Sequence, residues 1–139
     1  MIVDASVILS AYFPDEAQPA AQALVKAHIS GQLTIEAPTL LQYELCNAIW
    51  LAERRGRISQ EQAGGIMQSI EGLDLQIQAV SWQEILPLAR KFQQTAYDAA
   101  YLALAQRTGQ HLITGDKRLY AAVKDRLDWV MWVGDYPQS

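Results

Sequence analysis

His111-Leu112-Ile113-Thr114-Gly115-Asp116-Lys117-Arg118-Leu119 reads as an apolar strand, a Gly-Asp turn and the opening of a helix, in that order. Asp116 stands where a helix N-cap belongs, with its carboxylate available to the amide hydrogens that a helix start leaves free. The start of the chain repeats the arrangement. Ile2-Val3 is a short apolar strand, and Asp4 follows it directly, ahead of Ala5-Ser6-Val7-Ile8. Outward from these two units the pattern continues to alternate. An Ala-rich helix is expected over Glu16 to Ser30, closed by Gly31, then a short strand over Leu33 to Glu36. Pro38 is expected to open a long helix running to about Arg55 and stopped by Gly56. Ser59, with Gln62 three residues on, caps a helix to Glu71, although Gly64-Gly65 weakens it. Leu73 to Gln78 alternates apolar with polar, as a half-exposed strand does. Ser81 and Glu84 form a capping box for a helix to about Gln93, with Pro87 as an expected kink. Thr95 caps the next helix, ending near Gly109; Lys117 to Lys124 is helical and Trp129 to Val133 a last strand. Short strands alternating with helices specify an α/β domain with a mainly parallel sheet. Such sheets bind ligands at the carboxyl ends of their strands, which singles out Asp4 and Asp116.

The chain has 139 residues, a size expected of one domain over 1–139 with its own core. Half of the residues are hydrophobic and 19% are charged, a balance that excludes a disordered chain. No apolar stretch approaches the run of about 20 residues that a bilayer span needs. Ile2-Val3 runs straight into Asp4 without the basic and apolar regions of a secretory leader, so a cytoplasmic location and no membrane are expected. Cys46 is the sole cysteine, which fits a reducing compartment. The net charge of -4 argues against a passive coat of nucleic acid, but not against an enzyme that gathers carboxylates around a metal.

Two further acids join Asp4 and Asp116. Glu44 lies on the helix after Pro38, among Leu40, Leu41, Asn47 and Ala48 at helical spacing. A carboxylate on that packed side is costly unless it is paired or bound to a cation. Asp98 is three residues past Thr95, where it would complete a capping box, and its neighbours Tyr101, Leu102 and Ala105 turn it toward the packed side. Each acid has a bland reading as a cap or a margin residue, and for Asp4 alone capping is the stronger one. Jointly the four carry more weight. Clustered in a poorly solvated pocket, they would repel by on the order of several kcal/mol, and a divalent cation removes that cost. Oxygen ligands select Mg²⁺ or Mn²⁺, and His28, His111 and Cys46 have no zinc-type spacing.

Four blocks in order, Ile2-Val3-Asp4-Ala5-Ser6, Tyr43-Glu44-Leu45-Cys46-Asn47-Ala48, Tyr97-Asp98-Ala99-Ala100-Tyr101 through Ala105, and Leu112-Ile113-Thr114-Gly115-Asp116-Lys117-Arg118-Leu119, resemble the PIN-domain family. In detail they are similar to its VapC-type toxins of toxin–antitoxin pairs, over about residues 1 to 133. The resemblance implies a three-layer α/β/α sandwich and an endoribonuclease dependent on Mg²⁺ or Mn²⁺. It places Asp4, Glu44, Asp98 and Asp116 in the metal-binding quartet, with the hydroxyls of Ser6 and Thr114 supporting them. It also implies an RNA substrate, a homodimer and a cognate antitoxin that covers the site; Trp50, beside the Glu44 helix, is a candidate contact, although packing is the stronger reading of it. Lys117 and Arg118 follow Asp116 where some relatives carry another acid, which puts a second metal ion in doubt and offers the RNA backbone a cation.

Arg54 and Arg55, with Arg57 nearby, form the other basic cluster suited to RNA phosphates, although cations at a helix C-terminus also serve the helix dipole. Three rival readings compete. A haloacid-dehalogenase-like phosphatase wants Asp-x-Asp after the first strand, where this chain has Asp4-Ala5-Ser6. A receiver domain wants paired acids there and a phosphorylatable Asp at a middle strand. A catalytically silent RNA-binding or scaffold module of the same fold need not keep all four acids.

Overall fold

Five short strands, the first four each followed by at least one helix, organise the chain in the computed structural model, which describes residues 1–138. The strands are β1 (Ile2–Val3), β2 (Glu36–Pro38), β3 (Gln76–Gln78), β4 (Leu112–Thr114) and β5 (Val130–Trp132). The helices are α1 (Ala5–Tyr12), α2 (Pro19–Ile29), α3 (Leu40–Arg54), α4 (Gln60–Glu71), α5 (Trp82–Phe92), α6 (Ala96–Thr108) and α7 (Lys117–Val123), with a 3₁₀ turn at Val133–Asp135. All four strand pairings are parallel, in the order β3-β2-β1-β4-β5. The expected α/β class therefore holds, and the sheet is parallel throughout.

This order has a functional consequence. From β1 the chain builds outward to β2 and β3, then returns to the other side of β1 for β4 and β5. The reversal falls between β1 and β4, the switch point beside which open α/β sheets form a crevice at their carboxyl ends. Ile2, Val3, Leu112, Ile113 and Thr114 are wholly buried, as central strands covered on both faces must be. Helix α6 packs across β1, β2 and β4 while α5 packs against α6. Residues 99–105 of α6, Ala-Ala-Tyr-Leu-Ala-Leu-Ala, are all buried, so this helix is apolar all round, with small residues that let it approach closely. Helices α1, α3 and α7 contact the same strands, which completes a three-layer α/β/α sandwich. No helix among the described residues is long and apolar enough to cross a membrane.

Several expected boundaries move, for identifiable reasons. The helix expected from Glu16 begins at Pro19, because Ala17 has φ of 39° and Gln18 caps the amides of Ala20 and Ala21. The strand expected over Leu33 to Glu36 is displaced to Glu36–Pro38. The amides of Gln32 and Leu33 donate to Ala27 O and that of Ile35 donates to His28 Nδ1, so these residues close the end of α2 instead. Pro38 ends a strand and does not open a helix. Thr39 N, the next amide, makes the 3.2 Å bond to Gln78 O. Asp74, with φ of 52°, turns the chain before β3, which shortens the expected strand from Leu73.

Candidate active site

Asp4 leaves β1 and caps α1, accepting from Val7 N at 3.3 Å. Its two carboxylate oxygens also accept from the hydroxyls of Ser6 and Thr114, one on each side. Those hydroxyls are fixed in turn: Gly115 N donates to Ser6 Oγ at 2.9 Å and Asp116 N to Thr114 Oγ1 at 3.0 Å. The cap of α1 and the turn after β4 are thus knotted together through one carboxylate. Asp4 is 7% exposed, and burial pushes its pKa up to about 6 against the opposing hydrogen bonds, with Asp116 adding repulsion.

Asp116 caps α7, Oδ1 accepting from Arg118 N at 2.9 Å and Leu119 N at 3.1 Å. Its Oδ2 has no donor among the described residues. Glu44 sits at the margin of the buried stripe Leu41, Leu45, Ile49 and Ala52 of α3. Burial raises its pKa, the Tyr101 hydroxyl donating to Oε1 at 2.6 Å opposes this, and Asp98 adds repulsion. Tyr101 is itself buried on α6, and burial beside Glu44 keeps its hydroxyl protonated as a donor. Asp98 is in the first turn of α6, where Thr95 accepts its amide at 3.1 Å. The reciprocal half of the expected capping box is missing among the described residues. Its carboxylate turns instead to Arg118, whose Nη2 lies 3.1 Å from Oδ2, with the Asp98 side chain 18% exposed. Burial and then Asp116 raise the pKa of Asp98, which Arg118 and Thr95 counter.

The four acids come from just past the ends of β1 and β4, from the body of α3 and from the first turn of α6. All four line one cavity of about 330 Å³, together with Ser6 and Tyr101. Repulsion links them in sequence, Glu44 with Asp98, Asp98 with Asp116, and Asp116 with Asp4. Glu44 Oε2, Asp98 Oδ1 and Asp116 Oδ2 have no hydrogen-bond donor among the described residues. Acids that repel one another around uncommitted oxygens are a donor set suited to a hard divalent cation. As the side chains stand, no three His, Cys, Asp or Glu residues among those described are gathered tightly enough to hold one ion. The guanidinium of Arg118 supplies the positive charge next to Asp98.

The basic candidates separate. Arg118 belongs to the acid cluster. Arg54 lies over the Trp50 ring at 5.4 Å, while Arg55 and Lys117 line a neighbouring groove. Two features escape the sequence. Tyr101 was placed only as an apolar neighbour of Asp98, although its position one helical turn away on the same face signals a shared cavity. The Arg118–Asp98 pair, between residues far apart in sequence, has no local signal.

Comparison with known proteins gives concordant likenesses. Residues 1–125 match the family model described as PIN domain. The chain is 32% identical over 123 residues to Ribonuclease VapC3 of Pyrobaculum aerophilum, a match that spans 86% of this chain and 91% of that protein. It is 30% identical over 128 residues to Ribonuclease VapC1 of Mycobacterium tuberculosis, spanning 87% and 89% respectively. The crystal structure of PAE2754 from Pyrobaculum aerophilum superposes with a TM-score of 0.71 at 25% identity, covering 95% of this chain and 82% of that one.

Proposed function

The chain belongs to the PIN-domain family, and from that premise we propose that it is a divalent-metal-dependent endoribonuclease whose acids are Asp4, Glu44, Asp98 and Asp116. The observation that carries the reading is the common cavity of the four carboxylates at the sheet's switch point. The ion is proposed to be Mg²⁺ or Mn²⁺, since the donors are oxygens alone. When bound, such an ion supplies positive charge against the phosphoryl oxygens and makes water more acidic.

The chain's own residues do the remaining work. Asp4 and Asp98 are the proposed direct ligands. The hydroxyls of Ser6 and Thr114 hold both oxygens of Asp4 in one orientation, so its position is set before an ion arrives. Asp98 would help hold the ion, and Arg118, 3.1 Å from its Oδ2, stands where its guanidinium can meet a phosphate that enters beside it. Glu44, held by Tyr101, and Asp116, held by two amides, orient the attacking water with their uncommitted oxygens. Water gives up a proton to solvent as it adds to phosphorus, the bond to the leaving ribose oxygen breaks, and that oxygen takes up a proton from solvent. By the same likeness, we extend the proposal to a cytoplasmic toxin that acts as a homodimer and is covered by a cognate antitoxin.

RNA cleavage by Asp4→Asn and Asp98→Asn variants, with Mg²⁺ and with EDTA, tests the reading. Both variants are expected to lose more than the roughly 10- to 100-fold that loss of a merely supporting group costs, and EDTA to silence the parent protein. Cleavage undiminished in either variant rejects the assignment.

A further inference from the structure

A second cavity of about 480 Å³ opens beside the acid site and shares Ser6, Leu9 and Ala48 with it. Leu9, Leu51 and Trp132 give it apolar walls, and Arg55 and Lys117 bring cations to it. The third cation in its lining, Arg57, is already spent. It lies 2.8 Å from Asp15 and 3.2 Å from Glu16, and its guanidinium stacks 4.6 Å above Phe13. Arg55 and Lys117 have no acidic partner within 4.0 Å among the described residues. In a chain of net charge -4, two uncommitted cations facing one groove next to a carboxylate cavity mark where an anion approaches.

We propose that this groove holds the nucleoside that flanks the scissile phosphate of single-stranded RNA, its base against Leu51 and Trp132 and its backbone phosphate at Arg55 and Lys117. The inference rests on the ribonuclease reading, and adds to it the form of RNA accepted and how it is held. Continuity with the acid cavity sets the distance: a ligand that spans both occupies adjacent positions of one strand. A base lodged between apolar walls has to be unstacked, so duplex RNA is excluded. Two polar atoms of the lining are engaged within the protein. Ser10 Oγ donates to Val7 O at 3.0 Å and Gln18 Oε1 accepts from the first amides of α2. The apolar walls of Leu51 and Trp132 hold the base by its faces.

The test uses the full chain and a fluorescein-labelled single-stranded RNA of mixed sequence. Binding is followed by anisotropy in EDTA, and cleavage of the same RNA in Mg²⁺. Leu51→Glu and Arg55→Ala are compared with Trp82→Ala, which alters a side chain 88% exposed and outside the groove. Both groove variants are expected to bind about tenfold more weakly, with KM raised and kcat held, while Trp82→Ala matches the parent protein. The slope of log affinity against log salt falls by about 0.7 in Arg55→Ala. Duplex RNA of the same sequence fails to compete. Arg55 is exposed, so its variant keeps the test valid if Leu51→Glu does not fold. Parental KM and affinity in both variants overturn the subsite while cleavage by the parent protein upholds the ribonuclease reading. A parent protein that binds the RNA through Leu51 and Arg55 yet never cleaves it overturns the hydrolytic reading and keeps the groove.

Discussion

At Asp4 a carboxylate is held where its charge is disfavoured. Its pKa rises from 3.8 to about 6 on folding, so the folded chain binds the proton more tightly than the unfolded one. That group's contribution therefore favours folding at low pH and declines as pH rises from about 4 to about 6, by roughly 3 kcal/mol in all. Asp4→Asn removes the penalty while an amide oxygen still caps α1. Without metal at pH 7.5 the variant is expected to be more stable than the parent by about 1 kcal/mol or more, as denaturant titration would read, and inactive on RNA. A second residue-scale outcome concerns Tyr101→Phe, which deletes the 2.6 Å bond to Glu44. Cleavage is expected to fall about 10- to 100-fold with little change in RNA affinity, measured as kcat against KM. Asp4 and Asp116 were legible in the sequence because each follows a strand and precedes a helix, and both do cap helices as the bland reading holds. Capping and gathering toward one cavity are not rivals here. The hydroxyl of Tyr101 reaches from α6 to α3, and no local pattern encodes a contact of that kind.

Among the elements, the turn joining β4 to α7 is tightly constrained. A Cβ at Gly115 would stand 3.2 Å from Ser6 Oγ, tighter than ordinary contact, and 3.4 Å from Val133 Cγ1. Gly115→Ala is expected to displace the Ser6 hydroxyl that steadies Asp4, costing about 1 kcal/mol of stability and weakening metal binding. Thermal melts with and without Mn²⁺ would separate the two effects. Helix starts with a local cap were legible: the capping boxes Ser59/Gln62 and Ser81/Glu84 both form, since each lies within four residues of chain. The misplaced elements are those whose ends answer to distant partners. Strand β2 begins at Glu36 because Ile2 pairs there, whereas Leu33 looked equally suitable for a strand but is drawn to the end of α2. Pro38 read as a helix opener by its local preference, and its place at the sheet depends on Gln78 in β3.

For the whole molecule, the topology concentrates negative charge at a single place. The reversal between β1 and β4 sets Asp4 and Asp116 side by side, and α3 and α6 bring Glu44 and Asp98 to the same cavity. Burial raises Asp4, Glu44 and Asp98 alike, so the metal-free protein is expected to lose stability as pH climbs from 4 toward 7, seen as a falling melting temperature. A divalent cation should reverse this trend, raising the melting temperature more at pH 7.5 than at pH 5, because its ligands must be deprotonated. The α/β class was legible from the alternation of elements, but the convergence of four acids was visible only as a set of positions, since strand order is not written in any one segment. The most direct test is Mn²⁺ titration of the parent protein and of Asp4→Asn, Glu44→Gln, Asp98→Asn and Asp116→Asn, followed by calorimetry and thermal melting. A single site in the parent, stabilising it by about 2.7 kcal/mol at a hundred times Kd and weakened by every one of the four substitutions, is the predicted result. Full Mn²⁺ binding in Asp4→Asn or Asp98→Asn, the proposed direct ligands, would contradict a shared metal centre.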